Sequence, residues 1–219
     1  MELDKNFYPE LKEKIMPYFD INDDLHGWSH TQRVIGNAEN IMGNCFSISF
    51  DRDVVKTSAY LHDIARKMEI EGKVGCHAKE GAKISEQLLG EMKTPSELIE
   101  PVSYAISVHR VSNHINPQTI EAKILQDADR LDALGAIIIA RCFDYSSKKG
   151  RPYFVEGVEP KEFYDGSTSA STIHHMQEKI LKLTPDKFHT STARGIAIER
   201  YNFVKEFVNR FISEWRGEA

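Results

Sequence analysis

Apolar residues recur at the spacing of a helical stripe along almost the whole chain, and no other feature restricts the fold as much. Phe7, Leu11, Ile15 and Phe19 return every four residues. Val34, Ile35, Ala38, Ile41 and Met42 follow His30 at helical spacing and stop at Gly43-Asn44. A side chain returns to the same helix face every three to four residues, so each set marks one buried stripe. Asn22-Asp23-Asp24 interrupts the pattern with capping groups, and Asp51 or Asp53 can cap the next helix, which runs through Val54, Val55, Ala59 and Leu61. Further stripes are Ala78, Ala82 and Leu88–Leu89, then Ile99, Val102, Ile106 and His109 after Pro95. Beyond Pro117 and Thr119 come Ile120, Ile124, Leu125, Ala128 and Leu131. Two last helices are predicted over Thr172–Leu183 and from about Thr192 to Trp215. Phe46–Phe50 alternates like a strand, but so short a segment cannot make a sheet. The pattern predicts an all-α fold of about eight helices. Tyr145–Asp165, punctuated by Gly150, Pro152, Gly157 and Pro160, is predicted as a long loop or small hairpin.

Composition narrows the function classes. With 219 residues, 41% hydrophobic and 28% charged, the chain can bury a core, and one domain over 1–219 is the simplest expectation. A net charge of −5 argues against a binder of polymeric nucleic acid, which carries a basic face. The apolar run Leu134–Ala140 is far shorter than the roughly 20 residues of a spanning helix, so no membrane partner is expected. The start, Met1-Glu-Leu-Asp-Lys, lacks the cationic and apolar regions of a signal peptide. Cys45, Cys76 and Cys142 are too widely spaced for a zinc knuckle and read as ordinary thiols, so a cytoplasmic protein is expected. The unusual entry is nine histidines.

Four places combine metal-type ligands with apolar helix-forming sequence. His26 and His30 are four apart, yet Gly27 lies between them, so they read equally as a loop residue and a first-turn residue. His62 shares a small, apolar face with Val55, Ser58 and Ala59 and therefore points inward. Its neighbour Asp63 is then expensive to bury unless it is paired or ligated; the plainer reading is a core histidine beside an aspartate in the helix's last turn. His109 ends an apolar stripe. Asp127, Asp129 and Asp132 crowd a turn that Leu125, Ala128 and Leu131 pull inward, and they repel unless a cation joins them. The plainer alternative leaves Asp127 and Asp132 in water with Arg130 between them.

In order, His30, His62-Asp63 and Asp129 resemble the H…HD…D signature of the HD-domain metal-dependent phosphohydrolases, an all-α superfamily. The carrying segments are H-x-x-x-H-T-x-R-V at 26–34, A-Y-L-H-D-I at 59–64 and I-L-Q-D-A-D-R-L-D-A-L-G-A-I at 124–137. The last block resembles a branch of small bacterial and archaeal HD hydrolases and extends the likeness over nearly the whole chain. The resemblance implies a metal-binding core at about 20–145 with C-terminal helices at 168–216 packed on it. It implies that His30, His62, Asp63 and Asp129 hold a divalent metal, in one ion or two. Imidazole and carboxylate together suit Mn, Fe, Co, Ni or Zn better than Mg. The metal would activate a water against phosphorus, with Asp63, Arg33 and Arg130 as the catalytic set. His77, His109, Arg66 and Lys67 are the substrate-binding candidates, and the two histidines can also complete a second metal site.

Departures from other branches narrow the reaction. Arg66-Lys67 stands where the alarmone hydrolases carry an acidic pair. The His-His pair and G-Y-P segment of the cyclic-di-GMP phosphodiesterases are missing; the chain has His109-Arg110. No glutamate of the monophosphate nucleotidase type lies between Asp63 and Lys67. Positive charge from Arg66, Lys67 and Lys73 favours a small polyphosphorylated substrate, such as a (deoxy)nucleoside triphosphate cleaved at a phosphoanhydride. The alternatives are a nucleoside monophosphatase, a cyclic-nucleotide phosphodiesterase, or a non-catalytic module that binds a nucleotide or partner. Oligomeric state is left open.

Overall fold

The computed structural model describes residues 3–20, 27–45, 49–110, 113, 115–164 and 166–219. The helices are α1 (Phe7–Ile15), α2 (Trp28–Gly43), α3 (Arg52–Leu61), α4 (Arg66–Ile70), α5 (His77–Glu91), α6 (Ser96–Val108), α7 (Ile120–Asp132), α8 (Ala136–Lys148), α9 (Thr172–Glu178) and α10 (Ser191–Trp215). The fold is all-α, with no strand among the described residues. The expectations for His26, the Asn22-Asp23-Asp24 break and most of the Phe46–Phe50 alternation lie outside the described residues. Of the two forms expected near 145–165, the described residues take the loop, and it begins only after Lys148 because α8 runs on through Tyr145. The helix predicted to reach Leu183 ends at Glu178 and continues as a 3-10 turn over Ile180–Lys182. No described helix is long and apolar enough to cross a membrane.

The chain divides into two compact units, Met1–Asp129 and Arg130–Ala219. In the first, the stripe Phe7, Leu11, Ile15 and Phe19 is buried against Val54, Leu61 and Ile64, and with Ala82, Leu88, Leu89, Leu98, Val102 and Ile106 forms one core. α5 and α6 pack along each other, and α3 lies against α6. Gly81 of α5 faces the turn after α3: a Cβ there would be in ordinary van der Waals contact with the Ile64 and Ile106 side chains at 3.5 Å and the His62 carbonyl at 3.6 Å. Core packing therefore bears directly on the turn that carries His62 and Asp63.

In the second unit, Phe143 on α8 packs edge-on against Phe207 of α10, with ring centroids 6.1 Å apart. Phe154, in the loop after α8, stacks on His174 of α9 at 5.5 Å. The loop is pinned to the start of α9 by Thr172 and Ile173, whose N–H groups donate to the Pro152 and Tyr153 carbonyls, each at 3.0 Å.

Asp51 is the cap of α3. Its Oδ1 accepts from the N–H of Asp53 at 2.9 Å and of Val54 at 3.3 Å. A cap satisfies backbone donors that have no partner inside the helix. Asp51→Ala is expected to lower stability by about 1 kcal/mol. Urea denaturation should show a lower midpoint with an unchanged slope; an unchanged midpoint would remove the cap from the energetics of α3.

Candidate metal centre

Helix ends supply nearly every side chain of the site. His30 lies in the first turn of α2, and His77 is the first residue of α5. His62 is the C-cap of α3 and His109 the C-cap of α6. Asp63 follows His62 in a tight turn closed by the Ile64 N–H on the Leu61 carbonyl at 3.0 Å. Consecutive helical residues point about 100° apart, so leaving the helix at this step is what lets both His62 and Asp63 face inward. Asp129 comes from α7.

Asp63 is the centre of the arrangement. Its Oδ2 lies 3.7 Å from His30 Nε2 and 3.8 Å from His62 Nε2. Its Oδ1 lies 3.3 Å from His77 Nε2 and 3.8 Å from His109 Nε2. One carboxylate thus faces two pairs of imidazoles, one pair per oxygen. His30 Nε2 also meets Asp129 Oδ1 at 3.3 Å. His62 and His30 approach Nε2 to Nε2 at 3.3 Å, and so do His77 and His109. Two groups could each hold a metal ion, His30 with His62 and Asp129, and Asp63 with His77 and His109; the ligand atoms in each lie within 4.8 Å of one another. His30, His62, Asp63, His77 and His109 are all buried, while the Asp129 side chain keeps 28% exposure and gives the cluster its contact with solvent.

The hydrogen bonds behind the cluster decide what it can bind. His62 Nδ1 donates to the Ala59 carbonyl at 2.9 Å, and His109 Nδ1 to the Ile106 carbonyl at 2.7 Å. These are last-turn carbonyls, which have no donor inside their helices. His77 Nδ1 donates to Glu69 Oε2 at 2.8 Å. With Nδ1–H committed, each Nε2 turns a lone pair toward the others and toward the carboxylates. Acceptors facing acceptors in a dry pocket need a proton or a cation between them. Ionisation carries the same demand. Burial pushes the Asp63 carboxyl up, but His62, His109, His30 and His77 outweigh it and hold Asp63 well below the usual range. Asp129 is held low in the same way, by His30 first. Burial lowers His77, whereas Asp63 outweighs burial at His109 and raises it.

Glu69 is the residue that sequence reasoning missed. Besides His77 Nδ1 it accepts from the His77 backbone N–H at 3.2 Å, and it pairs with the guanidinium groups of Arg66 and Arg110. It lies on the five-residue α4, too short to register as an apolar period. Arg66, expected among the substrate contacts, is held here and also meets His77 Nδ1 at 3.1 Å. Lys67 beside it is exposed. Arg33 is half-buried one turn after His30. Arg130 lies in the second unit, where its guanidinium donates to the Lys187 carbonyl. Asp127 and Asp132 are buried, which removes the alternative that leaves them in water, and Asp132 pairs with Arg141 at 2.8 Å.

A profile of the HD domain matches residues 27–134. The uncharacterized protein YpgQ of Bacillus subtilis (strain 168) is 30% identical over 194 residues, spanning 84% of this chain and 82% of that protein. A predicted HD superfamily hydrolase from an uncultured Thermotogales bacterium is 35% identical, with a TM-score of 0.66 over 94% of this chain and 92% of its own. The crystal structure of B. subtilis YpgQ in complex with ADP superposes with a TM-score of 0.68 at 26% identity, covering 94% and 93% of the two chains.

Burial holds the His62 imidazole down to about 4, below the ordinary 6.5. The stability tied to its neutral form is complete above about pH 6.5 and is lost as the pH falls toward 4. In chelator-treated protein the melting temperature is expected to fall across that window, and His62→Gln to flatten the fall. An equal slope in the variant would show that another group carries it.

Proposed function

The chain belongs to the HD domain family, and from that premise we propose a metal-dependent phosphohydrolase that cleaves a phosphoanhydride of a nucleotide such as a (deoxy)nucleoside triphosphate. The observation that carries the reading is Asp63 placed between two sets of imidazoles, with the Nδ1–H groups of His62, His77 and His109 pointing away from the cluster. On this reading His30, His62, Asp63 and Asp129 hold one divalent ion, and His77 and His109 share Asp63 with a second. Mixed nitrogen and oxygen donors favour Mn, Fe, Co, Ni or Zn over Mg. When bound, such an ion lowers the pKa of a water and draws charge from phosphate oxygens.

The chain's own residues do the rest. The Ala59 and Ile106 carbonyls and Glu69 fix which nitrogen of each imidazole faces the cluster and in what orientation. The buried walls keep the local dielectric low, which strengthens every charge contact made there. Arg33 and the partly exposed Asp129 mark the side from which a phosphate can enter. A nucleotide substrate is supported by the ADP complex of YpgQ.

Phosphate and pyrophosphate release should be measured with Mn, Co, Ni and Mg over tri-, di-, mono- and cyclic nucleotides. Release from triphosphates with Mn, Co or Ni is expected. Release from monophosphates or cyclic nucleotides alone would reassign the reaction, and no turnover with any metal would leave a binding module.

Elemental analysis of purified variants tests the ligands. Asp63→Ala and His62→Ala are expected to lose bound metal, and Glu69→Gln to weaken its retention by about 10–100-fold. Metal content equal to wild type in Asp63→Ala would overturn the assignment.

A further inference from the structure

Gln126 is a buried polar residue of α7 to which the metal centre gives no direct part. It lies three positions before Asp129, about one turn away on the same face of the helix. Its Nε2 donates to the Val108 carbonyl at 3.3 Å. Val108 is the last residue of α6, and His109 follows it. A carbonyl at that place has no donor in its own helix, and α7 supplies one from outside. The Gln126 amide therefore ties the turn before Asp129 to the backbone immediately before His109.

α7 is also held by its other neighbour. Asn37 lies seven positions after His30, two turns along the same face of α2, and its Nδ2 donates to the Ala128 carbonyl at 3.0 Å. Asn37 is buried as well. α7 is thus a spacer between α2 and α6 with an amide on either side. Each amide grips the residue next to a member of the cluster: Ala128 precedes Asp129, and Val108 precedes His109. The two candidate ion groups use different ends of this bridge, Asp129 with His30 and His62, and His109 with Asp63 and His77. Without the Gln126 donor the end of α6 is released, while Asn37 still holds α7 to α2. The Nδ1–H of His109 does not prevent this, because its acceptor, the Ile106 carbonyl, moves with the same helix end. What is lost is the fixed approach of His109 Nε2 to His77 Nε2 at 3.3 Å and to Asp63 Oδ1 at 3.8 Å. Ligand constellations need placement within about 0.5 Å.

We propose that Gln126 is a positioning residue that anchors His109, and through it the second ion group, by way of the Val108 carbonyl. The inference rests on the two-ion reading of the cluster, so its test has one arm without metal and one with it, both on the full-length chain. The variant is Gln126→Met, which keeps the length of the side chain and removes the donor. In chelator-treated protein, amide hydrogen exchange at His109 should quicken about five- to tenfold, as loss of one buried hydrogen bond predicts, while exchange across α7 stays as in wild type. In equilibrium dialysis against Mn, the first ion should bind as in wild type and the second about tenfold more weakly. The spin-coupled signal of paired Mn ions should weaken with it. A single ion on wild type would fail the two-ion reading; quickened exchange at His109 would then still support the anchor, and unchanged exchange would overturn it. With two ions on wild type, equal weakening of both, as a general loss of stability would give, or an unchanged second ion would overturn the proposal. Should Gln126→Met not fold, Gln126→Asn, whose amide is one methylene short of Val108, is read in the same two ways.

Discussion

A single carboxylate, Asp63, holds the first unit's polar centre together. It is 5% exposed and lies among four imidazoles, two facing each oxygen. A carboxylate at that depth is tolerated only with compensating positive charge. The four histidines reach it from four different helices, so this requirement ties together α2, α3, α5 and α6. The raised basicity of His109 expresses the same demand, because there the attraction of Asp63 for a proton on the ring outweighs the cost of burying the charge.

The way the imidazoles are oriented is local and economical. His62 and His109 each sit where a helix ends and donate Nδ1–H to the carbonyl three residues back. Carbonyls in a helix's last turn have lone pairs to spare, and the Ile106 carbonyl also takes the His109 backbone N–H at 3.4 Å. One hydrogen bond thus uses a helix terminus and directs Nε2 into the pocket. His77 begins a helix, has no preceding helical carbonyl to use, and relies on Glu69 instead. Glu69 is in turn paired with Arg66 and Arg110, so positive charge near the cluster is partly taken up in positioning His77. Net charge along the sequence does not reveal this, because counting Arg66 as a substrate contact requires knowing that no acid has already taken it.

Legibility follows the range of the interaction. The stripe Phe7, Leu11, Ile15 and Phe19 is wholly buried, as its period demands, and Asp51 rather than Asp53 caps α3. The short α4 leaves no periodic trace, and α8 continues past the point where Gly and Pro spacing suggests a loop. Crowding alone marks the aspartates of α7 in the sequence; Asp127 and Asp132 are both buried, and Asp132 is balanced by Arg141 nine residues away.

The sequence by itself determined the helical class, the inward face of His62 and the family signature through His30, His62-Asp63 and Asp129, because period and spacing are properties of the chain. Only the tertiary structure decided that Asp63 stands between two sets of imidazoles, that Glu69 supports His77, and that Gln126 of α7 reaches the end of α6. Each of these depends on side chains brought together from separate helices and loops, where distance and burial, not spacing, decide which groups are paired.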